Sequence, residues 1–290
     1  CSAAGRFLTG AAPTDYNTHG PRPRRILAML RLACLAAVLA VGCVAESAPP
    51  PTPPAAAAED MGQNAEPLPA APKLDPAHTH KKLTPGGELL LEMKPDPADP
   101  KKAKPVRVLV QAEVCLRAGQ LELLMCRKQT KEHEAILRTT VDAQFIHGAL
   151  VAAGATPGKP VRFVNPKTGE EDYKPASGPV IKVVVCYSRA GKVQTHPAHE
   201  WVRDLKTKKP MTPDWVFGGS YLFTNPDEPK QPPYYAANGG DVISLSNFPD
   251  AMLDLPVKIS QDNADLSFDV MPDQVPPLLS KVWVVLTPGK

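Results

Sequence analysis

Apolar and polar residues alternate from residue 106 onward, and the alternation recurs in short bursts as far as residue 286. The run VRVLVQAEVCL at 106–116 places its apolar positions at a period of two, which predicts a strand with one face buried. Ala118-Gly119 separates it from the apolar stretch at 121–125, and the pair reads as a β-hairpin. In that register Cys126 lies opposite Gln111 and Cys115 opposite Glu122, so the hairpin holds the two thiols apart. Past Asp142, an N-cap residue type, Phe145, Ile146, Ala149, Leu150 and Ala153 share one face at helical spacing, and Gly154 closes the helix. His147 points away from that face and reads as an exposed helix histidine.

Short strands follow at 161–164, 180–188, 215–221, 241–245 and 281–286, with another running toward Arg203. VIKVVVCYS at 180–188 is apolar at nearly every position, as the centre of a sheet would be, and Cys186 reads there as a buried core thiol. One clear helix among about seven strands predicts an α+β fold, a mainly antiparallel β domain. That domain occupies residues 106–290.

Upstream the pattern changes. Fourteen of the 35 prolines lie between Pro49 and Pro105, in sequence almost without aromatic residues. Such a stretch buries too little apolar surface to offset the entropy of ordering it, so residues 44–105 are predicted to form a disordered Pro/Ala-rich tether. His78 and His80 read as solvated residues of that tether, and Leu89-Leu90-Leu91 interrupts it as a short docking strand or turn.

Residues 1–28 carry no periodic apolar pattern and read as an upstream extension of the reading frame. Residues 29–43, MLRLACLAAVLAVGC, have the layout of an export signal: Arg31, an apolar run too short to span a bilayer, then Gly42-Cys43. That ending resembles a bacterial lipobox, in which Cys43 is lipidated. Ala40, where such motifs usually carry Leu, leaves plain secretion or an uncleaved anchor open. The expectation is an exported protein, anchored in the cell-envelope membrane through Cys43 and facing the periplasm, or secreted.

Charge narrows the partners. Lys+Arg 33 against Asp+Glu 30 gives a net charge of +3, and the lysine clusters at 101–104 and 206–209 are short. No nucleic-acid partner is expected, because no basic face with stacking or groove-entering elements is visible. A protein or an envelope polymer remains a possible partner class.

Thiol, imidazole and carboxylate crowd most densely in LELLMCRKQTKEHEAIL at 121–137. Cys126 is flanked by Arg127, Lys128 and Lys131, whose positive charge favours a thiolate. With His133 and Glu134, and His199 and Glu200 from further along, it forms a candidate cluster for a metal ion or for nucleophile, base and orienter. The spacing supports this weakly: His196-Pro197-Ala198-His199 places a proline inside its H-x-x-H, and no C-x-x-C, G-x-S-x-G or phosphate loop occurs. Trp201, Trp215 and Tyr221, beside Gly218-Gly219, are candidate binding aromatics, with a buried core as the competing reading. Removal of Cys34 with the signal and lipidation of Cys43 would leave Cys115, Cys126 and Cys186, an odd number.

The strings LELLMCRKQTKEHEAIL, LVAAGATPGKPVRF, AHEWVRDLKTKKPM, WVFGGS and DVISLSNFPDAMLDLP, in this order, resemble the YdjY-domain proteins of planctomycete type. The likeness covers most of residues 106–288. It implies the layout of signal, tether and domain, but no activity or cofactor, and three dispersed cysteines give no iron–sulfur pattern. The first expectation is therefore a non-catalytic binding or structural domain of the envelope. The alternative is a metal- or thiol-dependent envelope enzyme built on Cys126, His133 and Glu134.

Overall fold

Strand formation in this chain follows its β-branched runs, and the longest of them make the frame. A computed structural model describes residues 64–99, 102–164, 168–259 and 266–289. The signal segment, Cys43 and the first part of the expected tether lie outside the described residues. In chain order the strands are β1 (Thr79–Lys82), β2 (Leu89–Lys94), β3 (Lys104–Val114), β4 (Gln120–Leu121), β5 (Leu123–Arg127) and β6 (Ala135–Thr139), then helix α1 (Ala143–Ala152). Next come β7 (Arg162–Val164), β8 (Glu171–Lys174), β9 (Val180–Arg189), β10 (Lys192–Pro197), β11 (Val202–Asp204) and β12 (Trp215–Phe217). The last are β13 (Leu222–Phe223), β14 (Tyr234–Tyr235), β15 (Ile243–Ser244), β16 (Leu253–Asp254), β17 (Phe268–Val270) and β18 (Lys281–Pro288). Among the described residues α1 is the single α-helix, and none is long and apolar enough to cross a membrane.

Eight strands close on themselves in the order β3-β18-β9-β12-β16-β15-β5-β6, with β6 pairing back onto β3. The fold is mostly β, a closed barrel-like sheet with one helix. Two of its pairings, β5–β6 and β15–β16, are parallel; the other strand pairings are antiparallel. The barrel strand β3 is longer than its barrel neighbours need, so one edge serves twice: Lys104–Val110 bonds to β2, and Glu113 and Val114 bond to β6. The far edge of β9 is likewise shared between β12 and β10.

β18 lies between β3 and β9, and its residues 282–286 are all buried. Val282, Val284 and Leu286 face the main core, while Trp283 and Val285 face outward with Leu90, Leu109 and Cys186. What covers that outer face is the stretch assigned to the tether. Leu68 and Ala71 pack on it, Trp283 Nε1 donates to Pro69 O at 3.0 Å, and Lys281 N donates to Glu66 O at 3.0 Å. The tether over 44–105 is thus corrected for its second part: residues from Glu66 onward belong to the domain. Proline does not prevent this, because an extended segment lying across a sheet needs few N–H donors.

His78 is corrected with it. Its Nδ1 lies 2.7 Å from Glu92 Oε1, and Arg107 Nε donates to Glu92 Oε2 at 2.6 Å, with Leu74 N also donating to Oε1. Glu92 is fully buried, and burial alone would raise its pKa; the bonds from Leu74 N–H, His78 and Arg107 outweigh that and hold it below the usual carboxylate range. The triad fastens the N-terminal segment and β2 to β3.

The expected hairpin across Ala118-Gly119 does not form. β4 pairs with β17, and β5 runs parallel to β6. The turn is present, with Gly119 at φ +111°, but the edge of β3 is taken by β6, and Leu121 pairs with Phe268. In α1 the buried positions are Ala143, Ile146, Ala149 and Leu150, leaving Phe145 54% exposed. Asp142 occupies the N-cap position without a capping bond from its side chain, which pairs instead with Arg127 at 2.7 Å. Gly154, at φ +94°, follows the helix as expected.

Candidate functional site

β12 leaves the barrel at Phe217, and the three residues after it shape the surface. Gly219 sits at φ +90° and Ser220 at φ +54°, so the chain turns back on itself before β13. A Cβ on Gly219 would lie 2.7 Å from Pro157 Cβ, and one on Gly158 would lie 1.9 Å from Ser177 O. Both approaches need glycine. Ser220 holds its unfavourable backbone conformation through its side chain: Oγ donates to Asp250 O at 2.7 Å and accepts from Ala237 N at 3.1 Å. Between this turn, α1 and Pro157 lies a cleft of about 410 Å³, lined among others by Gln144, His147, Tyr221, Leu222 and Tyr235.

Its floor is polar but internally satisfied. The Tyr235 hydroxyl donates to Gly219 O at 2.9 Å and lies 2.9 Å from His147 Nδ1. A carbonyl can only accept, so the hydroxyl proton goes to Gly219 and His147 Nδ1–H is the donor to the tyrosine oxygen. Burial lowers the pKa of His147, only partly opposed by the Gly219 carbonyl, and raises that of Tyr235 well above a free phenol. The imidazole ring also meets Phe217 edge-on, with centroids 4.8 Å apart. The rim is apolar: Leu222 is 65% and Tyr221 44% exposed, and the same hairpin exposes Phe223 and Tyr234.

The sequence-predicted residues are dispersed. Trp201 and Trp215 are fully buried in the main core, which removes them from any binding surface. Trp201 packs on Tyr187, and Trp215 Nε1 donates to Ser244 O at 2.6 Å. Tyr221 alone of the three aromatics lines the cleft, its hydroxyl donating to Asp250 Oδ1 at 2.8 Å. His199 sits in a 3₁₀ turn at Ala198–Trp201, with Nε2 3.0 Å from Pro213 O and its ring against Trp215. Glu200 lies 2.8 Å from His196 Nδ1. The His133 side chain is 78% exposed, 3.5 Å from Glu134. Among the described residues, neither His199 nor Glu200 bonds to Cys126, His133 or Glu134, and no three His, Cys, Asp or Glu side chains group so as to hold a metal ion.

Two groupings were hidden from the sequence. Cys126 is fully buried on β5 close to Cys115, whose thiol donates to Ala135 O at 3.1 Å, while the nearby Thr130 hydroxyl donates to Arg127 O. The neighbouring Cys115, against the effect of burial, draws the Cys126 thiol below its ordinary range, while Cys126 and burial push the Cys115 thiol up. Glu134 meets Glu122, a residue without a predicted role. Burial first and Glu134 second push Glu122 up to about 7. Beside them Lys131 Nζ reaches Asp241 Oδ1 at 3.0 Å and lies 4.5 Å above the Phe248 ring.

Residues 100–287 match the family model of the YdjY domain. The chain belongs to the YdjY-domain family. No curated protein and no solved structure matches it. The matched stretch of the YdjY domain contains the cleft, both thiols and the Glu122–Glu134 pair, whereas β1, β2 and the segment over Trp283 precede it. His147 and Tyr235 pair across 88 residues of chain, a separation that no local pattern spans. The helix pattern held one usable signal: a wheel centred on Ala143 and Ile146 turns His147 toward the protein rather than away from it.

Proposed function

We propose that this is an exported, lipid-anchored cell-envelope domain that binds rather than reacts, with the cleft between α1 and Gly218–Leu222 as its binding site. The observation that carries this is the division of labour at the cleft. The polar groups of its floor, His147, Tyr235, Gly219 and Ser220, are already bonded to one another or to Asp250 and Ala237, while Leu222, Tyr221 and Gln144 remain exposed at its rim. An apolar rim over a rigid polar floor suits a ring-bearing segment of an envelope polymer or protein that stacks on Tyr221 and Leu222. Ser220 Oγ donates its proton to a backbone carbonyl, not to a base, which favours binding over nucleophilic chemistry. Export and anchoring are supported by the apolar run that ends in Gly42-Cys43.

Two measurements test the reading. Titration of the full chain with soluble peptidoglycan fragments, followed by NMR, is expected to shift resonances of Tyr221, Leu222 and Tyr235, and Leu222→Asp to abolish the shifts. Shifts scattered away from the cleft, or unaffected by Leu222→Asp, would remove it as the site. Expression with an alkyne-tagged fatty acid is expected to label the protein and Cys43→Ala to lose the label; a labelled Cys43→Ala variant would end the anchoring part.

A further inference from the structure

The barrel closes at a narrow seam. β6 joins β3 there by only two register pairs, Glu113↔Arg138 and Val114↔Leu137, extended by a bond from Cys115 N to Ile136 O at 2.9 Å. Cys115, at the end of β3, approaches β6 from one side with its sulfur 3.1 Å from Ala135 O. Cys126, on β5, is paired with Arg138 along the other edge of β6 and packs on Ala135. Both side chains thus approach the same residue, where the Cys115 S–H donates to the Ala135 carbonyl, and each perturbs the ionisation of the other. Cys186 lies apart, in the outer cluster beneath Trp283.

We propose that Cys115 and Cys126 are a redox-active pair that closes to an intramolecular disulfide by exchange with an external disulfide, stapling β3 to β5 across the barrel seam while Cys186 stays reduced. This goes beyond the binding reading and does not depend on it, since neither cysteine lines the cleft. Of the two, Cys115 is the one with solvent access. Its sulfur attacks one sulfur of a small disulfide as its proton passes to the departing half. That S–S bond breaks, a Cys115 mixed disulfide forms, and one thiol leaves with that proton. The Cys126 sulfur then attacks the Cys115 sulfur, forms the protein disulfide and expels the second thiol as it gives up its own proton. Two protein S–H bonds become one S–S bond, and the two electrons reduce the external disulfide to two thiols. The N–H of Lys131 favours negative charge on Cys126, the attacking sulfur of the closing step. The odd count of three thiols then resolves as one pair and one core cysteine.

The experiment uses the full chain with Cys1→Ser, Cys34→Ala and Cys43→Ala, so that Cys115, Cys126 and Cys186 are its only thiols. It is equilibrated in glutathione buffers of increasing oxidised fraction, quenched, denatured and counted for free thiols. Trypsin separates the sites cleanly, because Arg117 and Arg127 put Cys115 on peptide 108–117 and Cys126 on peptide 118–127. Two thiols are expected to vanish together in one transition, giving a cross-link between those peptides, with Cys186 still alkylated. Oxidation is expected to raise Tm by roughly 4–10 °C, and Cys115→Ser, at the more accessible position, to abolish both cross-link and rise. Three free thiols throughout, a stable glutathione adduct on Cys115 without closure, or a cross-link to Cys186 would each overturn the proposal.

Discussion

His147 Nδ1 and the Tyr235 hydroxyl lie 2.9 Å apart, and the same hydroxyl lies 2.9 Å from the carbonyl of Gly219. Helix, hairpin and glycine turn are thereby joined through one oxygen. Tyr235→Phe keeps the ring and its packing but leaves a histidine donor and a carbonyl without their partner. The expected loss is about 1–3 kcal/mol of unfolding free energy in denaturant titration, the usual cost of orphaned buried polar groups. A variant as stable as the parent would mean that water replaces the hydroxyl without cost.

Gly219 tests the floor of the cleft from the backbone side. Gly219→Ala must hold a Cβ at φ +90° and 2.7 Å from Pro157 Cβ, so one of the two has to move. Strain of this kind costs about 1–3 kcal/mol. Circular-dichroism melting should register it as a fall in Tm, and ligand shifts at Tyr221 should weaken in parallel.

Stability should decline between acid and neutral pH. Burial raises Glu122 and Asp254 to about 7 each, above their unfolded values of 4.5 and 3.8. A carboxyl whose folded pKa is raised binds more protons in the folded state, so its contribution falls as pH rises from the unfolded value to about 7 and levels off above it. Glu92 works in the opposite sense: its folded pKa is depressed, so its contribution is present above 4.5 and is lost as pH falls through the folded value. Urea titrations from pH 4.5 to 8 should therefore show a decline that Glu122→Gln and Asp254→Asn each flatten. A slope unchanged in both variants would refute the assignment.

The N-terminal segment should be indispensable although it precedes the family match. Starting the chain at residue 100 uncovers Trp283, Val285 and Leu109 and leaves Arg107 without Glu92. The expected product aggregates or is digested rapidly by protease. Within the full chain, Arg107→Ala leaves the Glu92 carboxylate buried without its strongest cation, a change that typically costs about 3–5 kcal/mol.

By itself the sequence determined that this is a mainly β domain with one helix, though not that its sheet closes into a barrel. Its β-branched runs specify strands, the spacing around Ile146 and Leu150 specifies the helix, and Gly154 ends it, because these depend on residues a few positions apart. The family was legible for the same reason, in short strings kept in order. Only the tertiary structure decided which strands become neighbours. Ala118-Gly119 is a sound local turn, yet β3 bonds to β6 and not to β5, since many long-range contacts together outweigh one local preference. That choice sets Cys115 against Cys126, carries Glu134 to Glu122, and buries Trp201 and Trp215, while His147 meets Tyr235 from 88 residues away. The apolar face of β18 likewise needed a cover that composition had assigned to a tether; burial of Trp283 and Val285 against Leu68 and Ala71 outweighs the cost of ordering a proline-rich segment.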